Sequence, residues 1–410
     1  MYLNHIHVRN FGCLENVDVE LAPLTVLIGP NDSGKSTVLR AIEVLGRLQA
    51  DESLSALFPT ADDFQQQTFN ANGQLMELGF SGRVGTYKLV FGLEPIDTPP
   101  RAFYEELRSR SRGQRWERHV DGFPVQPFKG TEDVQIMVGP DAHPRIRQGM
   151  SGKTVNGEFQ TTLDMFVKET GAAIASARRF RLNPDRLREP VPLVFHREDM
   201  PMEPDGYGLA GVVADLLHRH RHRLEAIEAR LREAIPHIDG VNLRQRTLQL
   251  SAPWPWLKHD AKFMGPTSCY ALEFRSSSGN AIPHTLVSDG VLLYLAYLTL
   301  TMGQHPHRLL LIEEPELGIH PGLLAQVMTL LNALAKGDPP VQVILTTHSP
   351  LLLNHVDPKA IRMVHRDSGG ATQILPFSDI KDIARLLEYQ GPGEVWVNLG
   401  EDELARRQRE

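Results

Sequence analysis

The chain has 410 residues, 41% of them hydrophobic and 23% charged, with a formal net charge of −7 at pH 7; this is enough apolar material for a sizeable core divided over two or three structural units. The negative balance excludes a protein that coats nucleic acid over its whole surface, while leaving room for a local basic groove. No run approaches the roughly 18 to 20 apolar residues of a membrane span, and Met1–Val8 lacks a leader's basic-then-apolar pattern, so a cytoplasmic protein with no membrane contact is expected.

The first stretch alternates, with Leu3, His5 and His7 against Tyr2, Ile6 and Val8, and a second run covers Val17–Leu21; both suit strands of a half-covered sheet. Leu24–Ile28 is a continuous aliphatic run, the pattern of a strand buried on both faces. A glycine-rich turn follows, and then Val38, Ala41, Ile42, Leu45 and Leu48 recur at helical spacing. Residues 93–283 are richer in Pro, Gly and Arg and less periodic. The spacing of Leu209, Val212, Val213, Leu216, Leu217, His220, Leu224, Ile227 and Leu231 predicts one helix over Leu209–Ala234. Two further buried-strand runs, Leu309–Ile312 and Val341–Leu345, flank a helical pattern, which makes a βαβ crossover. The two ends of the chain are therefore expected to share one sheet. A hairpin is predicted over Ile361–His365 and Thr372–Phe377, then a helix through Ile380–Leu387 and a frayed tail from Gly400. The expected divisions are 1–92, an insert at 93–283, 284–399 and a tail at 400–410.

Four motifs carry chemistry. Gly29-Pro30-Asn31-Asp32-Ser33-Gly34-Lys35-Ser36-Thr37 fits G-x-x-x-x-G-K-[ST] between a buried strand and a helix. In that context the glycines let backbone amides curl around phosphate oxygens, Lys35 reaches the β and γ phosphates of ATP, and the Ser36 hydroxyl ligates Mg²⁺. Glu313 and Glu314 end the run Leu309–Ile312; we read Glu313 as a metal ligand and Glu314 as the group that orients the attacking water. His348, in Thr346-Thr-His-Ser-Pro350, suits a γ-phosphate contact or a polar turn. Ser288-Asp289-Gly290 opens an apolar helix, either as a plain N-cap or as an anion site for a phosphate carried by another subunit. Lys35, Glu314 and His348 are thus the catalytic candidates.

In chain order, which is P-loop, Ser288 motif, acid pair and then histidine loop, the motifs resemble the ATP-binding-cassette-type ATPase heads of the SMC, RecF and OLD families, and Asn10-Phe11 and Leu317–His320 look like further motifs of that group. The resemblance implies an α/β P-loop fold with a mixed or parallel sheet, an antiparallel N-terminal β part and an α/β insert. It also implies a homodimer or higher oligomer that sandwiches two ATP, with Ser288 of one subunit reaching the nucleotide of the other. Glu313 and His320 stand where most such heads have Asp. Gln65, Gln66 and Gln67 compete with a solvated turn for the glutamine loop. The insert is too short for coiled-coil arms, and no acidic cluster after His348 suggests a nuclease domain within this chain.

The resemblance implies an ATP-driven clamp or switch in DNA repair or anti-phage defence, acting on DNA or with a DNA-directed effector such as a nuclease. The alternative is an ATP-controlled scaffold for a protein effector. Two arginine groups, Arg101, Arg108, Arg110, Arg112, Arg115 and Arg118, and Arg178, Arg179, Arg181, Arg186 and Arg188, mark where a DNA-facing surface would lie. His218 and His222, four apart on a helix, suit a solvated basic face rather than a metal site. Cys13 and Cys269 make neither a disulfide framework nor a zinc pair.

Overall fold

The computed structural model describes residues 3–50, 52–73, 75–83, 85–93, 100–109, 115–119, 134–135, 170–193, 202–250, 265–303 and 307–407, with the backbone alone at 105, 107, 109, 115–119, 134–135, 249–250, 265–266, 401–402 and 405–407. The chain divides into two compact units. The first holds Met1–Arg179, Pro306–Ile312 and Leu334–Glu410, and the second Phe180–His305 and Glu313–Ala333.

The first unit contains two sheets. Strands β1 (His5–Phe11), β2 (Leu14–Glu20), β4 (Met76–Ser81), β5 (Gly85–Gly92), β6 (Arg101–Ser109), β7 (Arg115–His119) and β8 (Val134–Gln135) make a seven-stranded sheet in the order β2-β1-β4-β5-β6-β7-β8. It is antiparallel from β2 to β7. The other sheet has six strands in the order β17-β16-β3-β15-β14-β9, formed by β3 (Leu24–Ile28), β9 (Arg178–Phe180), β14 (Leu309–Glu313), β15 (Gln342–Thr347), β16 (Ile361–Arg366) and β17 (Thr372–Pro376). Every residue of β3, β14 and β15 is buried, as their aliphatic runs require. β3 runs parallel to β15 and to β16, and β16 pairs with β17 as the predicted hairpin. An N-terminal strand therefore sits between two C-terminal ones, so the ends of the chain share a sheet.

The helix Lys35–Gln49 places Val38, Leu39, Ala41, Ile42, Leu45 and Leu48 in one apolar cluster with residues of both sheets, among them Ile6, Val8, Leu78, Phe80, Leu27 and Ile344. Gln342 ties the two ends together at one point. Its buried amide accepts from Leu3 N at 3.0 Å and donates to Leu3 O at 2.8 Å and Ala22 O at 3.1 Å.

In the second unit β11 (Ile238–Leu250) and β12 (Gly265–Ser276) form a long antiparallel pair, with β10 (Val191–Pro192) and β13 (Ala281–Pro283) also on β12. The single helix expected over 209–234 is two, Leu209–Arg219 and Arg221–Ala234, broken at His220 with φ −132 and ψ 45. The apolar period continues through the break. Yet Leu217 to Arg223 contains no buried residue, so that turn gains little from apolar burial to hold it helical. After a break at Gly400, with φ 73, the chain is helical again to Arg407 rather than frayed. No helix among the described residues is long and apolar enough to cross a membrane.

Gln342→Leu keeps the volume of the side chain but orphans Leu3 N, Leu3 O and Ala22 O. Denaturant unfolding should show a loss of about 2 to 4 kcal/mol, from the desolvation of buried backbone groups left unpaired. A loss near zero would mean that the ends are held together by apolar packing alone.

Candidate nucleotide site

Buried β3 ends at Ile28, and the helix begins at Lys35 behind Gly34, which is left-handed at φ 106 and makes no side-chain cap. Asp32 is also left-handed, at φ 63. Turns with left-handed residues point successive N–H groups to one side, and the first turn of the helix adds more amides without intrahelical partners. Hydrogen is the only substituent that fits at two positions. A Cβ on Gly29 would overlap the Val364 carbonyl, and one on Gly34 would overlap Thr372 Oγ1.

Those obstructing atoms belong to the β16–β17 hairpin, which holds the loop directly. Arg366 donates to Asp32 O at 2.5 Å and Asp32 Oδ1 at 2.9 Å, and Thr372 Oγ1 donates to Ser33 O at 2.9 Å. The Lys35 ammonium is buried and donates to Gly29 O at 2.9 Å, Pro30 O at 2.7 Å and Ser33 Oγ at 3.3 Å. Ser36 is exposed at the first helical turn, and Asn31 and Asp32 are exposed on the loop.

His348 follows β15, whose Thr347 is in register with Ile28 of the parallel strand β3. His348 and Gly29 therefore leave the sheet at the same end of neighbouring strands, where parallel α/β sheets present their ligand-binding groups. The histidine is exposed, and Thr347 Oγ1 accepts from Ser349 N at 2.9 Å to shape the turn.

The acid pair and the signature serine are described by the second unit. Glu313 is buried; Glu314 is partly exposed and takes the left-handed conformation, φ 48, which a glutamate adopts only under constraint. Arg181 Nη2 lies 3.0 Å from Glu314 Oε2, and its Nε is 4.0 Å from Glu313 Oε2. Ser288 immediately precedes the helix Asp289–Met302 but makes no side-chain cap, so the plain N-cap reading of this serine is not what its hydroxyl does. Arg188 shapes the signature loop instead. It donates to His284 O at 2.8 Å and Val287 O at 2.9 Å and pairs with Asp289. Gly290 lies against Gly318 O, so this helix start adjoins the loop that leaves the acids. His320, where Asp was the familiar residue, accepts from Gly322 N through Nδ1 at 3.2 Å, and its carbonyl receives Leu323 N and Leu324 N. It caps the helix Pro321–Ala335 as Asp would.

Sequence reasoning missed Arg366, Thr372, Arg181 and Arg188. The second arginine group, read as a basic surface, is largely spent inside the chain: Arg179 pairs with Glu43, Arg181 with Glu314, Arg186 with Asp205 and Glu189, and Arg188 with Asp289. The one signal for this was the number of acids near the motifs. In the first group Arg108 pairs with Glu106; Arg110 and Arg112 and the side chains of Arg115 and Arg118 lie outside the described residues. Gln67 bonds Arg40 and the Asp63 carbonyl, and Gln65 and Gln66 belong to the short helix Ala61–Gln66. Cys13 and Cys269 are free thiols.

No group of three or more His, Cys, Asp or Glu suited to a metal occurs among the described residues. That fits Mg²⁺ bound through nucleotide phosphates, which takes only one or two protein oxygens and keeps several waters. Ser36 and Glu313 offer oxygen donors of that kind.

Comparison with known proteins agrees with this reading. Residues 1–80 match the family model described as "AAA ATPase domain", and residues 184–354 the one described as "AAA domain, putative AbiEii toxin, Type IV TA system". An OLD nuclease from Thermus scotoductus is 24% identical over 374 residues, 89% of this chain and 62% of that protein. The chain thus spans about three fifths of that relative's length. The DNA replication and repair protein RecF of Erwinia tasmaniensis is 46% identical over 57 residues, 14% of this chain and 16% of that protein. Among solved structures, the SMC head domain from Thermotoga maritima aligns over 92% of this chain and 99% of its own, with TM-score 0.40 and 13% identity. With AAA family models over residues 1–80 and 184–354 and with an OLD nuclease and a RecF among its relatives, the chain is similar to the ATPase heads that its motifs resemble.

Proposed function

We propose that the chain binds ATP with Mg²⁺ on Gly29–Thr37 and hydrolyses it between two copies of itself. The observation that carries this is the loop itself: two left-handed residues and two sites where only hydrogen fits, between a buried strand and a helix. Further support comes from β3, β15 and β14 standing side by side in one sheet, each ending in one of the motifs. Lys35 leaves its carbonyl partners for the phosphates, and Ser36 and Glu313 are the residues that would hold the metal. Mg²⁺, when bound, neutralises phosphate charge. Glu314 accepts the water's proton as the water attacks, and His348 donates to the γ-phosphate. Ser288, with a hydroxyl not used for capping and set by Arg188 on its loop, is the group that reaches the partner's nucleotide.

The work driven by this cycle is a clamp or switch in a DNA-directed process, in repair or anti-phage defence, together with a separate effector such as a nuclease. The names of the OLD and RecF relatives support the DNA side. A second reading, an ATP-controlled scaffold for a protein effector, is favoured by one observation: four arginines of the group at 178–188 are already paired with carboxylates. Binding to duplex and single-stranded DNA across a salt series separates the two. A binding constant that falls with salt supports the clamp, and absence of any salt-dependent binding supports the scaffold.

Lys35→Ala should abolish nucleotide binding, measured by calorimetry with ADP and with ATP. Glu314→Gln should bind ATP normally while turnover drops by about 100-fold or more, the usual worth of a positioned general base. Normal turnover in that variant would remove Glu314 from the chemistry. Ser288→Arg should keep ATP binding but lose the ATP-dependent dimer in sedimentation; a monomer turning over at full speed would end the shared-site scheme.

A further inference from the structure

One arginine of the segment 178–188 stands at the acid pair. The backbone is fixed on both sides of Arg181: Arg181 N donates to Pro204 O and Asn183 N to Asp205 O, both at 2.9 Å. Phe180 is buried, and Arg186 lies over the Tyr207 ring at 4.9 Å while bonding Asp205. Arg188 is anchored on the carbonyls of His284 and Val287. Between these anchors the Arg181 side chain is 64% exposed, against 4% for Glu313 and 20% for Glu314. A backbone held by hydrogen bonds thus carries one exposed guanidinium, and that guanidinium is docked on the carboxylate read as the base.

The constraint on Glu314 is two-sided. Its left-handed backbone aims the side chain, and the charge-assisted bond to Arg181 takes up an oxygen that a general base must offer to water. The same arginine lies near both adjacent glutamates at the end of one strand, with Nη2 at 3.0 Å from Glu314 and Nε at 4.0 Å from Glu313.

We propose that Arg181 is a positioning residue that restrains hydrolysis: its contact with Glu314 is the resting arrangement, and the carboxylate becomes available to water only when that contact opens. The proposal rests on the assignment of Glu314 made above. No chemical step is added to the reaction; the ion pair sets how often the base is free.

The test compares Arg181→Gln, Arg181→Lys, Glu314→Gln and the Arg181→Gln/Glu314→Gln double variant in the full chain. Arg181→Gln should raise kcat for ATP by about two- to fivefold, the size that an exposed ion pair allows. KM and the affinity for a fluorescent ADP analogue should stay unchanged, and Arg181→Lys, which keeps the cation, should stay near the wild-type rate. Thermal unfolding without nucleotide supplies a measurement independent of turnover: Glu314→Gln should be more favourable to stability in the Arg181→Gln background than in the wild type, because the unscreened acid is removed. A kcat that falls or does not move on Arg181→Gln, or midpoints that simply add, overturns the restraint. Should Glu314→Gln itself turn over normally, the assignment of the base fails instead, whatever Arg181 does.

Discussion

A steric constraint shapes the loop after β3: at Gly29 and Gly34 the β16–β17 hairpin lies so near the chain that only hydrogen fits on Cα. Lys35 braces the loop from within, and further bracing comes from elsewhere. Here it comes from more than 300 residues away in sequence, through Arg366 on Asp32 and Thr372 on Ser33. The shared sheet, with β3 between β15 and β16, is what brings those residues to the loop. Gln342, satisfying three backbone groups of the N-terminal stretch, fastens the same junction at the opposite end of β15.

Electrostatics follow the same economy. The chain carries more acid than base, and the arginines near the motifs are matched individually to carboxylates rather than gathered into a patch. Arg188 shows the reason in one side chain: two carbonyls and a carboxylate on the signature loop would otherwise face each other without a donor. Loops that must hold a precise shape without regular hydrogen bonding need such forked donors, for which guanidinium is the best suited group.

Much of this could be read from residues alone. Largely aliphatic runs announced β3, β14 and β15 because a strand covered on both faces carries few polar residues. The loop Gly29–Thr37 was legible from its residue pattern between a buried strand and a helix. What escaped was every feature decided by a distant partner. The break at His220 has no proline or glycine to signal it; it arises where packing lapses from Leu217 to Arg223. The arginines at 179, 181, 186 and 188 look like a basic run until the fold brings acids from positions 43, 314, 205 and 289 beside them. His320 in place of Asp looked like a weakened motif, yet its ring nitrogen supplies the same acceptor to the helix start.

Lys35 carries a last consequence. Its ammonium has already left water and is satisfied by Gly29 O, Pro30 O and Ser33 Oγ, at 5% exposure. A ligand arriving at the loop therefore exchanges one set of oxygen acceptors for another and does not strip a hydration shell from a free cation. The desolvation of that charge is borne during folding, and dissolved ions, which screen exposed charges far more than buried ones, have little hold on it. The part that this ammonium plays at the loop is in this way little screened by dissolved salt.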